Sequence, residues 1–253
     1  MTFGHVAPKW LLDEASFSVR EGSKITLMGQ NGAGKSTIFK MITGELKPND
    51  GRILITAGKH IAIAKQVMPK EDKELTISTY FRKYSRSDSH NIDRDIREVL
   101  DAVDFVPNPP KDSEMTKEQA FAKFLERTIS SFSGGQQARL LLASALIQDP
   151  DILLLDEPTN NLDTAGIWHM TTFLQNYTKT VLVISHDAEF LNSFTDGILY
   201  LDIWTKQVEQ FVGNYHDAVE QVERRIESQN RENARLEKEI QANKDQANVF
   251  AHK

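Results

Sequence analysis

The sequence contains no cysteine, so disulfide bonds and thiolate metal sites are excluded. It also lacks an apolar run long enough to cross a membrane and a signal-peptide pattern at its start, and we therefore expect a cytoplasmic protein without membrane insertion of its own. Acidic residues outnumber basic ones, with a formal net charge of −6, which argues against general binding to polyanions. The apolar content of 40% over 253 residues is sufficient for one large α/β domain, with or without an appendage.

Proline and glycine are both missing from residues 216–253, which follow a predicted domain boundary at Gly213-Asn214. This tract is predicted to be one long polar helix, nearly neutral in charge, and is therefore not expected to be a basic arm for nucleic acid. Apolar and amide side chains recur along it at alternating spacings of four and three, as in a heptad seam. The seam consists of Val222, Ile226, Gln229, Asn233, Leu236, Ile240, Asn243 and Ala247. Because a lone helix of this kind is marginal in water, we expect a partner helix.

A complete phosphate-loop pattern, G-x-x-x-x-G-K-[ST], occupies residues 29–36. The apolar strand predicted at 25–28 precedes it, and a helix predicted at 37–42 follows it. The glycines allow several backbone N–H groups to point at one anion, and the helix adds the positive end of its dipole. Lys35 supplies a positive charge for the outer phosphates, and the Ser36 hydroxyl can ligate Mg²⁺. The motif predicts binding of a nucleoside triphosphate without specifying which one.

Two further strand ends carry polar side chains that fit this chemistry. The apolar run 152–155 ends in Asp156 and Glu157. Asp156 is suited to hold Mg²⁺, and Glu157 can polarise a water molecule for attack on the γ-phosphate. His186 follows the apolar strand 181–184 and could hydrogen-bond the γ-phosphate, although a histidine in this position is by itself more often structural.

A second glycine-rich turn, with Phe132 before it, opens the amphipathic helix predicted to continue to Ile147. Ser133 is a candidate N-cap, and Gly134 and Gly135 expose backbone N–H groups before Gln136. One chain thus has two candidate phosphate-binding surfaces. This is unexpected unless each belongs to a site shared with another copy of the fold.

The remaining sequence predicts an α/β organisation with a helical insert. Residues 16–20, 52–55 and 61–64 are predicted strands, and 198–201 with 208–211 are predicted as an antiparallel pair. From about residue 75 to 147 the apolar residues recur at helical spacing, which predicts helices near 77–84, 92–103 and 117–126 before the helix that ends at Ile147.

Taken in order, these motifs resemble those of an ABC-type ATPase domain. The matching segments are Walker A (Gly29–Ser36), the Q-loop (Gln66), the signature (Phe132–Gln136), Walker B (Leu153–Glu157), the D-loop (Leu162-Asp163) and the H-switch (His186). The resemblance covers nearly all of residues 3–215. It implies an α/β P-loop NTPase core with an antiparallel β subdomain, a helical subdomain at about 75–147 and a long C-terminal helix. It also implies that two ABC domains pack head to tail, each signature closing over the ATP of the other.

The resemblance implies the following roles for individual residues. Glu157, His186 and Gln66 would be catalytic, and Mg²⁺ would be held by Ser36, Gln66 and Asp156. ATP would be contacted by Gly29, Asn31, Gly32, Ala33, Gly34, Lys35, Ser36 and Thr37. The signature residues Ser133, Gly134, Gly135 and Gln136 would contact ATP across the head-to-tail interface. The adenine would stack on an aromatic side chain upstream of Walker A, for which Phe3, His5 and Trp10 are candidates.

Within this family, three features resemble the ABC-F subfamily more than transporter motors. They are Asp156–Asp163 with its Thr-Asn-Asn-Leu-Asp, His186–Leu191, and Gly213-Asn214-Tyr215 followed by the charged helix. The helix resembles the start of the ABC-F interdomain linker, which implies that 1–215 is the first ABC domain and that 216–253 is a truncated linker. The resemblance implies ribosome, rRNA and tRNA as partners. The alternative is the nucleotide-binding motor subunit of an ABC membrane transporter.

Overall fold

Six strands of the computed structural model form one mixed sheet in the order β2-β3-β4-β1-β5-β6. The structure describes residues 11–86, 91–109 and 114–251. The strands are β1 (Lys24–Gly29), β2 (Ile61–Ala64), β3 (Ile152–Asp156), β4 (Thr180–Ile184), β5 (Gly197–Leu201) and β6 (Val208–Val212). All neighbouring pairs are parallel except β5 and β6, which are antiparallel as the sequence predicted.

The central strands are buried on both faces, and their side chains alternate between two hydrophobic clusters. Leu153, Leu155, Val181 and Val183 face the first cluster, which contains most of the helical residues. Leu154, Leu182, Ile25 and Leu27 face the second cluster, which contains Ile38 and Phe39. This alternation explains why β3 and β4 read as continuous apolar runs in the sequence.

Eight α-helices accompany the sheet in the described parts of the chain. They are α1 (Lys35–Ile42), α2 (Ile77–Tyr84), α3 (Ile92–Ala102), α4 (Lys117–Leu125), α5 (Gly134–Leu146), α6 (Thr164–Asn176), α7 (Ala188–Asn192) and α8 (Tyr215–Ala251). The predictions of α2 to α5 are confirmed to within two or three residues at each end. Helices α6 and α7 were not predicted, although each begins with an aspartate that caps it, Asp163 and Asp187 respectively.

The strands predicted at residues 16–20 and 52–55 are wrong, because neither segment forms a strand in the structure. Both segments line the same largely apolar cavity of about 520 Å³. A β-strand requires a ladder partner, and neither segment pairs with a strand among the described residues. The antiparallel pairing of strands within the described residues is therefore that of β5 with β6. This cavity contains none of the predicted site residues.

The chain separates into two compact units, Met1–Tyr215 and His216–Lys253. The first unit holds the sheet and helices α1 to α7. The second consists of α8, whose sequence favours helix through the pairs Arg224–Glu220 and Arg231–Glu227, each spaced four residues apart. Leu236 and Ile240 of the predicted seam are half exposed. No helix in the described ranges is both long enough and apolar enough to cross a bilayer.

Candidate functional site

The carboxyl ends of four parallel strands bring the predicted site residues to one edge of the sheet. Strand β1 leads into the phosphate loop, β3 ends at Asp156, and Gln66 and His186 follow β2 and β4 by two residues. Because β1 to β4 are parallel neighbours, these ends meet at the same edge. They enclose a cavity of about 290 Å³. Its walls include Asn31, Gly32, Gly34, Lys35, Ser36, Thr37, Gln66, Asp156, Glu157 and His186.

Among the residues that the structure describes, Lys35 donates its hydrogen bonds to backbone carbonyl groups. Its Nζ donates to the carbonyl oxygen of Gly29 at 2.7 Å and to that of Gln30 at 3.3 Å. Burial lowers the pKa of Lys35, and the Glu157 and Asp156 carboxylates partly offset this effect. A cation held by neutral carbonyls can exchange them for phosphate oxygens without breaking a hydrogen-bonded ion pair.

Helix α1 begins without a side-chain cap. Its N-cap, Gly34, has a left-handed backbone with φ of 108° and offers no side chain to cap the first turn. The first N–H groups of a helix need acceptors from elsewhere, and they carry the positive end of the helix dipole. The start of α1 is therefore suited to a phosphate group that faces this cavity.

The residues at the end of β3 fit a magnesium ion held together with a nucleotide. Asp156 and Ser36 both line the cavity, and the Ser36 hydroxyl is close enough to lower the pKa of the Asp156 carboxyl. Burial raises the pKa of Asp156, while Ser36 and Lys35 oppose that rise. Among the described residues, no three His, Cys, Asp or Glu side chains converge on a cation site. Mg²⁺ commonly takes one or two carboxylates and completes its shell with phosphate and water, which is the arrangement that these residues favour.

Glu157 and His186 contact each other at the mouth of the cavity. The Nε2 atom of His186 lies 3.3 Å from Oε1 of Glu157. Burial raises the pKa of Glu157, which makes its carboxylate a stronger base, whereas the neighbouring His186 lowers it. The backbone of Glu157 is left-handed with φ of 50°, and its N–H donates to the carbonyl oxygen of Ile184 on β4 at 2.8 Å. This unusual conformation for a non-glycine residue fixes the carboxylate beside the phosphate loop.

Two predicted nucleotide contacts are absent from the lining of the cavity. Gly29 and Ala33 do not line the cavity. A Cβ on Gly29 would lie 2.7 Å from the carbonyl oxygen of Leu201, so this glycine permits close packing of β1 against β5. Ala33 is buried in the second hydrophobic cluster. Phe3, together with the alternatives His5 and Trp10, lies outside the described residues.

The signature residues form a separate surface at the start of α5, and none of them lines the cavity. Ser133 and Gln136 form a capping box, in which Gln136 Oε1 accepts from the Ser133 N–H at 3.0 Å and the Ser133 side chain accepts from the Gln136 N–H at 3.4 Å. Phe132 is buried in a cluster with Phe105 and Phe124, which explains an aromatic side chain at this position.

Sequence reasoning missed several contacts at the site. Leu11 and Ile184 line the cavity, and Leu11 packs over Gly34. Near the end of β4, the Ser185 hydroxyl lies 3.3 Å from that of Thr159 and connects this strand end to the segment after Glu157. Leu11 carries no motif signal, whereas Thr159 and Ser185 are adjacent to predicted site residues and could have been expected to meet.

The fold and the cavity define a P-loop ATPase of the α/β class. A profile of the protein family described as ABC transporter matches residues 12–160. The chain therefore belongs to this family and is an ABC-type ATPase domain.

Curated relatives refine this assignment. The chain is 30% identical to the uncharacterized ABC transporter ATP-binding protein YfmM of Bacillus subtilis, with 92% of this chain and 51% of that protein covered. It is 30% identical to ABC transporter F family member 5 of Arabidopsis thaliana, with 93% of this chain and 38% of that protein covered. It is 28% identical to the energy-dependent translational throttle protein EttA of Mycobacterium tuberculosis, with 92% of this chain and 45% of that protein covered. The resemblance to the ABC-F subfamily is confirmed, and the chain spans about half the length or less of these relatives.

A solved structure agrees in fold. The ATP-binding cassette MJ0796, described as a dimer in a post-hydrolysis state bound to ADP and Pi, superposes with a TM-score of 0.63 at 22% identity. The match covers 83% of this chain and 94% of that one. At this identity the likeness confirms the ABC ATPase fold and gives no information about the partners of this chain.

Proposed function

We propose that this chain binds ATP with Mg²⁺ and hydrolyses it in a site that the signature loop of a second ABC domain completes. The observation that carries this proposal is the 290 Å³ cavity, which collects phosphate-binding, carboxylate and histidine side chains from four strand ends. The capped glycine turn at Ser133 stands outside that cavity, so a second copy of the fold must supply the corresponding turn. That copy lies in the same full-length protein or in a homodimer.

The residues of the cavity divide the work of hydrolysis. Lys35 and the N–H groups at the start of α1 neutralise the phosphates, and Asp156 and Ser36, with Gln66, hold Mg²⁺. When bound, Mg²⁺ offsets the negative charge on the phosphate oxygens. Glu157 accepts a proton from the attacking water, and His186 orients that carboxylate and reaches toward the γ-phosphate.

We further propose that the whole protein acts on the ribosome in the cytoplasm. In this proposal α8 and the linker residues next to it contact rRNA or tRNA. Two findings support this: the relatives include a translational throttle protein, and α8 is a polar helix of 37 residues whose seam side chains Leu236 and Ile240 are half exposed. In this proposal residues 1–215 are the first ABC domain, and residues 216–253 begin the interdomain linker. ATP binding closes the two domains on the ribosome, and hydrolysis permits release.

Ribosome co-sedimentation of the full-length protein tests this function. With Mg-ATP, Glu157→Gln should hold the closed state, since the amide cannot accept the proton, and should pellet with ribosomes. The double variant Glu157→Gln/Lys35→Ala is the control and should stay in the supernatant because it cannot bind ATP. Failure of Glu157→Gln to co-sediment under any nucleotide condition would contradict ribosome action.

The alternative, a transporter motor, is favoured by one finding: the matching family is described as ABC transporter. In that case the helices between residues 75 and 147 would dock on a membrane-embedded subunit. Purification from membranes with such a subunit, together with no ribosome association, would support this alternative.

A further inference from the structure

The signature end of α5 touches the loop that leads from Glu157 to α6. A Cβ placed on Gly135 would lie 2.5 Å from the carbonyl oxygen of Asn161, closer than a real side chain can approach. Asn161 itself has a left-handed backbone with φ of 69°. The loop thus packs directly against the glycine turn.

A single guanidinium group strengthens this contact from the next turn of the helix. Nη2 of Arg139 donates to Oδ1 of Asp163 at 3.4 Å, and Nη1 donates to the carbonyl oxygen of Asp104 at 2.6 Å. The same Asp163 oxygen accepts the N–H of Gly166 at 2.9 Å and so caps α6. The Asp104 carboxylate is also 3.1 Å from Nε2 of His169 on α6. Arg139 therefore connects α5, the start of α6 and the segment that follows α3.

The placement of Arg139 suggests more than a contribution to stability. Its side chain is 17% exposed, whereas that of Asp163 is 76% exposed, and ion pairs with such an exposed partner stabilise a fold only weakly. The effect of Arg139 on the position of neighbouring groups can be larger, because a displacement of about 1 Å at a reacting group can cost on the order of 100-fold in rate. The loop held by Arg139 begins at Glu157, and the helix that carries Arg139 begins at the signature.

We propose that Arg139 is a positioning residue that fixes the signature turn to the loop after Glu157, so that both move as one piece when two ABC domains close. The inference rests on the proposed two-domain site. Through this connection, a change at the signature is transmitted to the catalytic carboxylate of the same domain, although Arg139 itself touches no nucleotide.

Steady-state ATP hydrolysis by the full-length protein tests the proposal. We expect Arg139→Ala to lower kcat by on the order of tenfold, with KM and the measured ATP dissociation constant changed less than twofold. Arg139→Lys should recover only part of the rate, because an ammonium group cannot contact Asp104 and Asp163 with the same fork. The matched control is Arg94→Ala, which removes an exposed arginine paired with Glu98 within α3. It should leave both constants unchanged.

A double-variant cycle separates positioning from general loss of stability. Asp163→Asn keeps an oxygen that can cap α6 but removes the charge that faces Arg139. If the two residues act together, the double variant Arg139→Ala/Asp163→Asn should be no slower than the slower single variant. Multiplicative losses, or a kcat for Arg139→Ala equal to that of Arg94→Ala, would overturn the proposal. Should Arg139→Ala fail to fold, the same comparison is made with Arg139→Lys.

Glu157→Gln is measured in the same assay to separate the two proposals. If Glu157→Gln hydrolyses ATP normally, the proposed function fails. If it is inactive while Arg139→Ala is fully active, only the positioning role of Arg139 is refuted.

Discussion

The two helices that begin with glycine-rich turns, α1 and α5, differ in how their first N–H groups are satisfied. Helix α1 starts at Gly34 without a side-chain cap, and Lys35, Asp156 and Glu157 surround its first turn. Helix α5 starts at Ser133 with a complete capping box and lies outside that cavity. One turn is thus part of a charged pocket whose lysine, helix N-terminus and carboxylates fit a phosphate group with Mg²⁺, whereas the other is a self-capped surface. The difference supports the proposal that α1 holds the nucleotide and that the start of α5 approaches the nucleotide of a partner domain.

The sharpest test of this comparison is Lys35→Ala. We expect ATP affinity to fall by about 100-fold or more, since the charge-assisted hydrogen bonds to the outer phosphates are lost. Titration calorimetry of ATP into the purified protein measures the effect. Lys47→Ala, at an exposed site after α1, is the control and should bind ATP normally. An unchanged affinity for Lys35→Ala would refute the assignment of α1.

At the other turn, two adjacent glycines should respond differently to alanine. Gly135→Ala forces a Cβ into the Asn161 carbonyl oxygen at 2.5 Å and should lower the free energy of unfolding by about 1–3 kcal/mol. Gly134→Ala would place its Cβ 3.9 Å from that of Asn161, an ordinary contact, and should change stability by less than about 0.5 kcal/mol. Urea denaturation monitored by circular dichroism compares the pair. Equal stability of the two variants would mean that the backbone at Asn161 does not pack on the signature turn.

Removing the capping box of α5 should have a smaller effect on stability, and the capping box of α4 provides a matched control. Ser133→Ala should lower the free energy of unfolding by about 1 kcal/mol, and Thr116→Ala, which removes the same kind of box from α4, should cost a similar amount. If the start of α5 also meets a nucleotide, only Ser133→Ala should slow ATP hydrolysis in the full-length protein. Equal hydrolysis by both variants would limit Ser133 to a structural role.

The smallest effect concerns the pH dependence of stability at the two aspartates beside these turns. Burial raises the pKa of Asp156, so its folded form holds a proton more readily, and stability falls as pH rises from its ordinary range through the raised pKa. Asp156→Asn should therefore be more stable than the wild type at neutral pH, with the gain vanishing in acid. The Gly166 N–H and Arg139 lower the pKa of Asp163, so the stability from this group is lost as pH falls through its lowered pKa. Thermal denaturation between pH 3 and 8 should reveal opposite trends for Asp156→Asn and Asp163→Asn, and parallel trends would contradict both assignments.

Motif spacing predicted most of the candidate site, because residues that follow neighbouring parallel strands lie close together in space even when they are far apart in the sequence. Gln66, Asp156 and His186 are far apart in sequence but follow parallel strands that end at one edge. The placements of Gly29 and Ala33 could not be predicted, since a P-loop pattern does not distinguish residues that face phosphate from those that pack beneath it. The strand predictions at residues 16–20, from alternation, and at 52–55, from a short apolar run after a turn, failed because neither local pattern shows whether a partner strand lies alongside.

The sequence by itself determined the class of this protein, because the phosphate loop, the two carboxylates after an apolar strand and the glycine turn specify a chemistry that few folds can host. Tertiary structure alone decided which groups support one another. The contact of Gly135 with Asn161, the forked hydrogen bonds of Arg139 and the approach of His186 to Glu157 join segments distant in the chain. Local patterns record the preferences of a residue for its own backbone, whereas these contacts depend on how the sheet and helices pack.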